Sequence, residues 1–337
     1  TAVEEAKWGL AVIEDTLWNS IPKICSRFDN SVKKYTKKSL PINYSPFKFS
    51  SWMGGDRDGN PNVTVNTTKE VILLSRWEAA SLYEKEFTSL IQNLSLHDCS
   101  KKIRKKVGDT WEPYRVYLRP IRNKLQETQK EIELSMKNKR KTNKNLLVNS
   151  INEILDPLND VYKSLCEVNC EIIANGIVLD LIRQAHTFGL NLAKLDIRQE
   201  SSRHANLINS ICEKLGINHF NKLSENEKII FLKKEFYSKR PLIPQNLNLS
   251  KEDRETWETF KMISDTPKEF LGAYVISMSS KVSDILSVLL LQKEAGVKNF
   301  LRIVPLFETL SDLQNAHKII NNLFINNWYV KLYDYEQ

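Results

Sequence analysis

The sequence predicts an α/β fold with a large helical excess, and three observations predict it. Long segments carry apolar residues at close to 3.6-residue spacing. Three short stretches break that habit with strand-like patterns. Two of those strands flank a helical segment, giving strand, helix, strand over about 35 residues, the mark of a parallel β-α-β unit with a right-handed crossover.

Taken in order, "VEEAKWGLAVIEDTLWNSIPKICSRF" places Trp8, Leu10, Ala11, Ile13, Leu17, Trp18 and Ile21 on a helical period. "FKFSSWM" reads as a short strand. "KEVILLSRWEAASLYEKEFTSLIQNL" reads as a helix, with Thr67 or Thr68 as its N-cap. "EPYRVYLRPIRNKLQETQKEIELSMKN" is another long helix, followed by a polar connector near 137–144. "NEILDPLNDVYKSLCEVNCEIIANGIVLDLIRQAHTFG" gives two more helices, punctuated by Gly176 and Gly189. "LNLAKLDIRQE" (190–200) alternates like a strand, while "GAYVISM" (272–278) is a continuous apolar run like a buried parallel strand. "SDILSVLLLQKEAG" then reads as a helix capped by Ser283 and ended by Gly296, and "FLRIVPLFE" (300–308) as the next strand. No repeat and no linker divides the chain, so residues 1–337 are read as one unit.

The 337 residues, 41% hydrophobic and 27% charged, suit a large core. No apolar run reaches a membrane span, and the N-terminus has no signal-peptide pattern. Both ends read as interior sequence, so a piece of a longer protein is expected. The net charge of +8 arises in bursts at Lys33–Lys38, Lys101–Lys106 and Lys137–Lys144. No series of aromatics interleaves them as base stacking requires, so they are read as solvated segments rather than nucleic-acid contacts. Five cysteines, an odd number without secretion signals, fit reduced thiols in a cytoplasmic protein. Cys166 and Cys170 are read as sharing one helix face, without a partner pair at zinc-site spacing.

The densest stretch is "SWMGGDRDGNP", 51–61. Its Gly54 to Gly59 spacing resembles a phosphate loop, but Asn60 and Pro61 stand where that loop needs Lys and Ser/Thr. With Gly59 at position six of a calcium loop, Gly54 and Val65 occupy ligand positions one and twelve, so that reading fails too. What remains is a rigid polar loop. Gly54, Gly55 and Gly59 supply backbone freedom; Asp56, Asp58 and Asn60 can bond nearby backbone; Arg57, between two carboxylates, suits a fixed ion-pair network. At the strand ends, Arg198 and Glu308 suit an anionic substrate and a hard metal, or ordinary helix-start salt bridges.

"FSSWMGGDRDGNPNVT" closely resembles a signature of phosphoenolpyruvate carboxylase of the bacterial type. "EEAKWGLAVIEDTLW", "IIANGIVLDLIRQAHTFGLNLAKLDIRQESSRH", "YSKRPLIP" and "LGAYVISMSSKVSDILSVLLLQKEAG" with "RIVPLFETLSDL" resemble further blocks in family order, so the resemblance covers essentially the whole chain. It implies a central fragment of that enzyme, part of an eight-stranded β/α (TIM-like) barrel embedded in many α-helices. It implies a lyase that joins phosphoenolpyruvate and bicarbonate, with Mg²⁺ or Mn²⁺, to give oxaloacetate and phosphate, replenishing the tricarboxylic acid cycle and fixing carbon dioxide. Bicarbonate attacks phosphorus to give carboxyphosphate and the pyruvate enolate, which captures the released CO₂. A cytoplasmic, allosterically controlled homotetramer follows from the same resemblance.

Residue by residue, Glu308 matches the family's metal-ligand Glu and Arg198 an Arg that contacts the substrate phosphate. Met278 and Leu306 match barrel-mouth positions that keep the CO₂ pocket apolar. Trp52 and Arg57 are the loop residues expected beside the substrate. The family's catalytic His, in an upstream "HPT" block, and its second metal ligand, an Asp in a "GYSDS" block, match no position here. The isolated chain is therefore expected to be inactive. Val282 stands where the family has Pro, and Lys7 where it has Arg. The alternative is a non-catalytic helical scaffold or binding module from a split or decayed gene.

Overall fold

A long helical run punctuated by prolines opens the chain in the computed structural model, which describes residues 1–333 except 139, 218, 245, 246 and 326. Helix α1 (Ala2–Val12) passes through a wide π turn at Ile13–Leu17 into α2 (Trp18–Thr36). Pro22 lies inside α2 and has no N–H to give the Trp18 carbonyl. The buried Gln184 side chain supplies that donor instead, Nε2 to the Trp18 oxygen at 2.9 Å. Strand β1 is short (Ser50–Ser51), much less than the seven residues "FKFSSWM" predicted; just ahead of it the rings of Phe47 and Phe49 stack at 6.5 Å. Then come α3 (Val65–Asn93), α4 (Lys101–Val107), α5 (Pro113–Lys137), α6 (Asn152–Glu167), the single turn α7 (Glu171–Ile173) and α8 (Leu179–Phe188). Helix α3 starts ahead of the predicted cap: Thr64 Oγ1 accepts from the Thr67 amide at 3.3 Å. Helix α6 ends at Glu167, so Cys166 and Cys170 do not share a helix face.

The chain divides into two compact units, one made mainly of residues 3–50 and 70–194, the other of 51–69 and 195–337. The first is helical. Trp18 is buried at its core, edge-on to Tyr83 at 5.1 Å and 5.2 Å from Phe188. Ile103, Leu118, Ile132, Leu158 and Ile182 are fully buried in the same unit. Each such side chain contributes about 1.5–3 kcal/mol. One of the basic bursts is tied down locally: Lys102 and Lys106 both reach the buried Asp160 carboxylate, at 2.5 and 3.1 Å. In the first burst Tyr35 is exposed with the Lys34 ammonium 5.8 Å from its ring.

The connector after α5 is held by one carboxylate. Glu131 accepts two hydrogen bonds from Arg140, at 2.7 and 2.9 Å, and one from the Asn143 amide at 2.6 Å. The Arg140 bonds, then the Asn143 amide, push its pKa from 4.5 down to about 2. A depressed carboxylate stabilises above its unfolded value and loses that contribution as pH falls through the folded one. Protection of the Asn143 amide against hydrogen exchange is therefore expected to persist above about pH 4.5 and to fade toward about pH 2. Glu131→Gln should remove that pH dependence, and equal acid sensitivity in the variant would refute the assignment.

The second unit carries the sheet. Strands β2 (Lys194–Glu200), β3 (Leu271–Ser277) and β4 (Ile303–Pro305) pair in parallel, and β1 lies beside β2, giving the order β1-β2-β3-β4. Successive neighbours in chain order, joined by helices, are what right-handed β-α-β crossovers produce. Helices α9 (Ser201–Lys214), α10 (Glu225–Tyr237) and α11 (Lys251–Asp265) separate β2 from β3, and α12 (Val282–Glu294) separates β3 from β4. Helices α13 (Leu310–Ile325) and α14 (Asn327–Tyr333) follow. Ser283 does not cap α12: its amide and hydroxyl both go to Glu225, and Asp284 takes the Ser280 and Lys281 amides at 2.9 Å. The buried Gln292 bonds both backbone groups of Leu301, fixing the entry to β4. Below the sheet Tyr274 stacks on Phe260 at 5.1 Å, and His204 bonds the Tyr274 hydroxyl at 2.8 Å. Burial pushes His204 down to about 3, so it is neutral in the core. Among the described residues no helix is long and apolar enough to cross a membrane.

Candidate functional site

The glycine-rich loop follows β1 and lies along β2 as an extra parallel bridge. The Arg57 amide donates to the Arg198 carbonyl and the Arg198 amide to the Gly55 carbonyl, each at 2.9 Å. Bridge pairing brings a period of two, so alternate loop side chains face opposite ways. Asp56 and Asp58 face Arg198; Arg57 turns to the other side. This closeness needs Gly55, where a Cβ would stand 2.0 Å from the Asp196 carbonyl oxygen. Gly54 has φ +81° and Gly59 φ +66°, backbone that favours glycine.

Arg57 is the loop's internal brace. It is 7% exposed and donates to the Gly55 carbonyl at 3.0 Å and to Thr68 Oγ1 at 2.7 Å, while Thr68 Oγ1 donates to the Gly54 carbonyl at 2.8 Å. Burial lowers its pKa, opposed by the charges of Tyr274, Glu255 and Asp56. The ion-pair network expected around Arg57 forms instead around Arg198. Trp52, 61% exposed, lends its carbonyl to the Gly55 and Asp56 amides. Asn60 is exposed and turns the exit, its Oδ1 accepting from the Asn62 amide and its carbonyl from the Val63 amide.

At the C-terminal edge of the parallel strands the guanidinium of Arg198 meets three carboxylates. Nη2 lies 2.9 Å from Asp58 and 3.1 Å from Glu308, and Nη1 lies 3.5 Å from Asp56. Three negative charges face one positive charge, an excess that suits a further cation. Arg198 Nε is buried, with no acceptor among the described residues. Glu308 follows β4 and uses both oxygens, Oε1 toward Arg198 and Oε2 from the Met278 amide at 2.9 Å. Met278 follows β3 with φ +52°, a left-handed backbone rare outside glycine, and is 52% exposed. Its carbonyl accepts from Ser201 Oγ at 2.9 Å. The Leu306 amide extends the β3–β4 ladder to the Ile276 carbonyl at 2.8 Å, and its side chain is half-buried.

Arg198, Glu308, Met278, Asp56 and Asp58 therefore converge, whereas the Arg57 side chain is directed inward. Asp56 and Asp58 as partners of Arg198, and Thr68 and Ser201 as supports, were not legible in the sequence. Their partners lie far along the chain, and only the bridge between loop and β2 reveals the face each presents. Among the described residues no group of three or more His, Cys, Asp or Glu is arranged to hold a metal by itself. Glu308 offers one hard oxygen ligand, in keeping with Mg²⁺, which binds through one or two carboxylates and keeps waters and substrate oxygens.

A model of the phosphoenolpyruvate carboxylase family matches residues 1–337. A phosphoenolpyruvate carboxylase of Marinobacter nauticus is 46% identical over 329 residues, covering 98% of this chain and 37% of that protein. One of Acinetobacter baylyi is 45% identical over 337 residues, covering 98% of this chain and 38% of that protein. One of Psychromonas ingrahamii is 42% identical over 330 residues, with the same coverage, 98% and 38%. The chain thus spans a little over a third of the length of these curated relatives.

Proposed function

Because this chain belongs to the phosphoenolpyruvate carboxylase family, we propose that it forms part of an enzyme joining phosphoenolpyruvate and bicarbonate into oxaloacetate and phosphate. The observation that carries this reading is Arg198 held between Asp58 and Glu308 at the sheet's C-terminal edge. The four strands are an arc of an eight-stranded β/α barrel. Arg198 binds and orients the substrate phosphate, its planar fork matching phosphate oxygens. Glu308 is this chain's ligand to Mg²⁺ or Mn²⁺, alongside an Asp supplied by another segment. The cation, when bound, stabilises the enolate oxygen as a Lewis acid.

Met278 and Leu306 keep water from the enolate, which water would protonate. Trp52 covers the loop side of the substrate. Arg57 contributes through the loop it braces, and Gly54, Gly55, Asp56, Asp58, Gly59 and Asn60 shape that loop. The base for bicarbonate is not among these residues, so the chain alone is inactive. The complete enzyme is proposed to be a cytoplasmic homotetramer under allosteric control.

The test is a chimera in which residues 1–337 replace the matching segment of the Marinobacter nauticus relative. We expect bicarbonate- and metal-dependent formation of oxaloacetate by the chimera and none by the chain alone. A folded chimera without turnover would favour a non-catalytic scaffold.

A further inference from the structure

We propose that Asp58 is the positioning residue of Arg198: it holds the guanidinium in place when Glu308 turns from Arg198 to the metal. The inference rests on the reading of Arg198 and Glu308 given above. Nη2 is shared, with Asp58 at 2.9 Å and Glu308 at 3.1 Å. It carries two N–H bonds, so each carboxylate takes one. A divalent cation at Glu308 brings a second positive charge onto the carboxylate that Arg198 occupies, and the two cations repel.

Without a further anchor, Arg198 would either block the cation or be driven from the site. Asp58 supplies the anchor. It sits on the loop bridged to β2 beside Arg198 itself, so loop and guanidinium share one backbone frame. Asp56, at 3.5 Å from Nη1, is the weaker arm. Once Glu308 faces the metal, Arg198 has one Nη2 hydrogen released. Together with the buried Nε, which has no acceptor among the described residues, that leaves donors for a phosphate.

A positioning role and a merely structural one differ in a readout that needs no turnover, the affinity for Mn²⁺ without phosphoenolpyruvate. In the full-length chimera, Asp58→Asn lets Arg198 close on Glu308, so Mn²⁺ binding should weaken about tenfold. Arg198→Gln removes the competing cation, so Mn²⁺ should bind more tightly than in the parent. In the Arg198→Gln background, Asp58→Asn should then have no further effect. In steady-state assays Asp58→Asn should raise KM for phosphoenolpyruvate about 10–100-fold with a smaller change in kcat, since phosphate is held in ground and transition states alike.

Unchanged Mn²⁺ affinity in Asp58→Asn, or equal weakening with and without Arg198, overturns the proposal. An inactive parent chimera would instead overturn the proposed reaction. Circular dichroism on each variant separates misfolding from either result, and Asp56→Asn, expected to show the same changes at smaller size, gives a second variant.

Discussion

Gly55→Ala should be far more damaging than the same change at Gly59. The added carbon would lie 2.0 Å from the Asp196 carbonyl oxygen and 3.3 Å from Leu195 Cδ1. The first neighbour is backbone, so no rotamer change relieves it. The loop must lift from β2, and the paired Arg57–Arg198 and Arg198–Gly55 backbone bonds stretch with it. Overpacking of this kind costs about 1–3 kcal/mol, and each backbone bond lost adds about 0.5–1.5 kcal/mol. The chimera's denaturation midpoint reads the loss. Gly59→Ala is the comparison. Its Cβ meets nothing within 4 Å, and the penalty is confined to φ +66°, a left-handed conformation that costs about 1–2 kcal/mol. If Gly59→Ala proved the worse of the two, the close approach at Gly55 would be the wrong explanation.

Glu308→Gln should have the largest effect on catalysis. The amide keeps the shape, so the Met278 amide can still find an oxygen. What goes is the negative charge that faces Arg198 and would face the metal. Losing one preorganised electrostatic contact to a developing oxyanion costs about 10²–10³ in kcat. We expect a fall of at least that order in oxaloacetate formation by the chimera, with near-parental thermal stability. Activity within about threefold of the parent, less than 1 kcal/mol in barrier, would remove Glu308 from the metal site.

Much of the second unit was legible because buried parallel strands need uninterrupted apolar residues. The run at 272–278 became β3, at Leu271–Ser277, and Gly296, with φ +78°, ends the helix that follows. The 300–308 stretch shortened to Ile303–Pro305, since Gln292 holds Leu301 before the ladder begins. The capping of α12 was misread because a serine before a helical pattern says nothing of a distant carboxylate. Glu225, on α10, claims both polar groups of Ser283. The site shows the same limit more sharply. Adjacency makes Arg57 the natural partner of Asp56 and Asp58. A glycine-rich loop gives no strand signal, so nothing in the sequence announces that it pairs with β2. Once it does, alternation turns the two aspartates to Arg198 and leaves Arg57 buried against Thr68.

Met278 ties three segments through the two peptide groups that flank its Cα. Its amide reaches Glu308 beyond β4, and its carbonyl receives Ser201 at the start of α9. Its left-handed φ of +52° is held against the ordinary preference of a side chain with a Cβ. One residue's backbone therefore stands between the segment after β4 and the first turn of α9, so the acceptor offered by Glu308 and the donor offered by Ser201 set the same short stretch of chain from opposite sides.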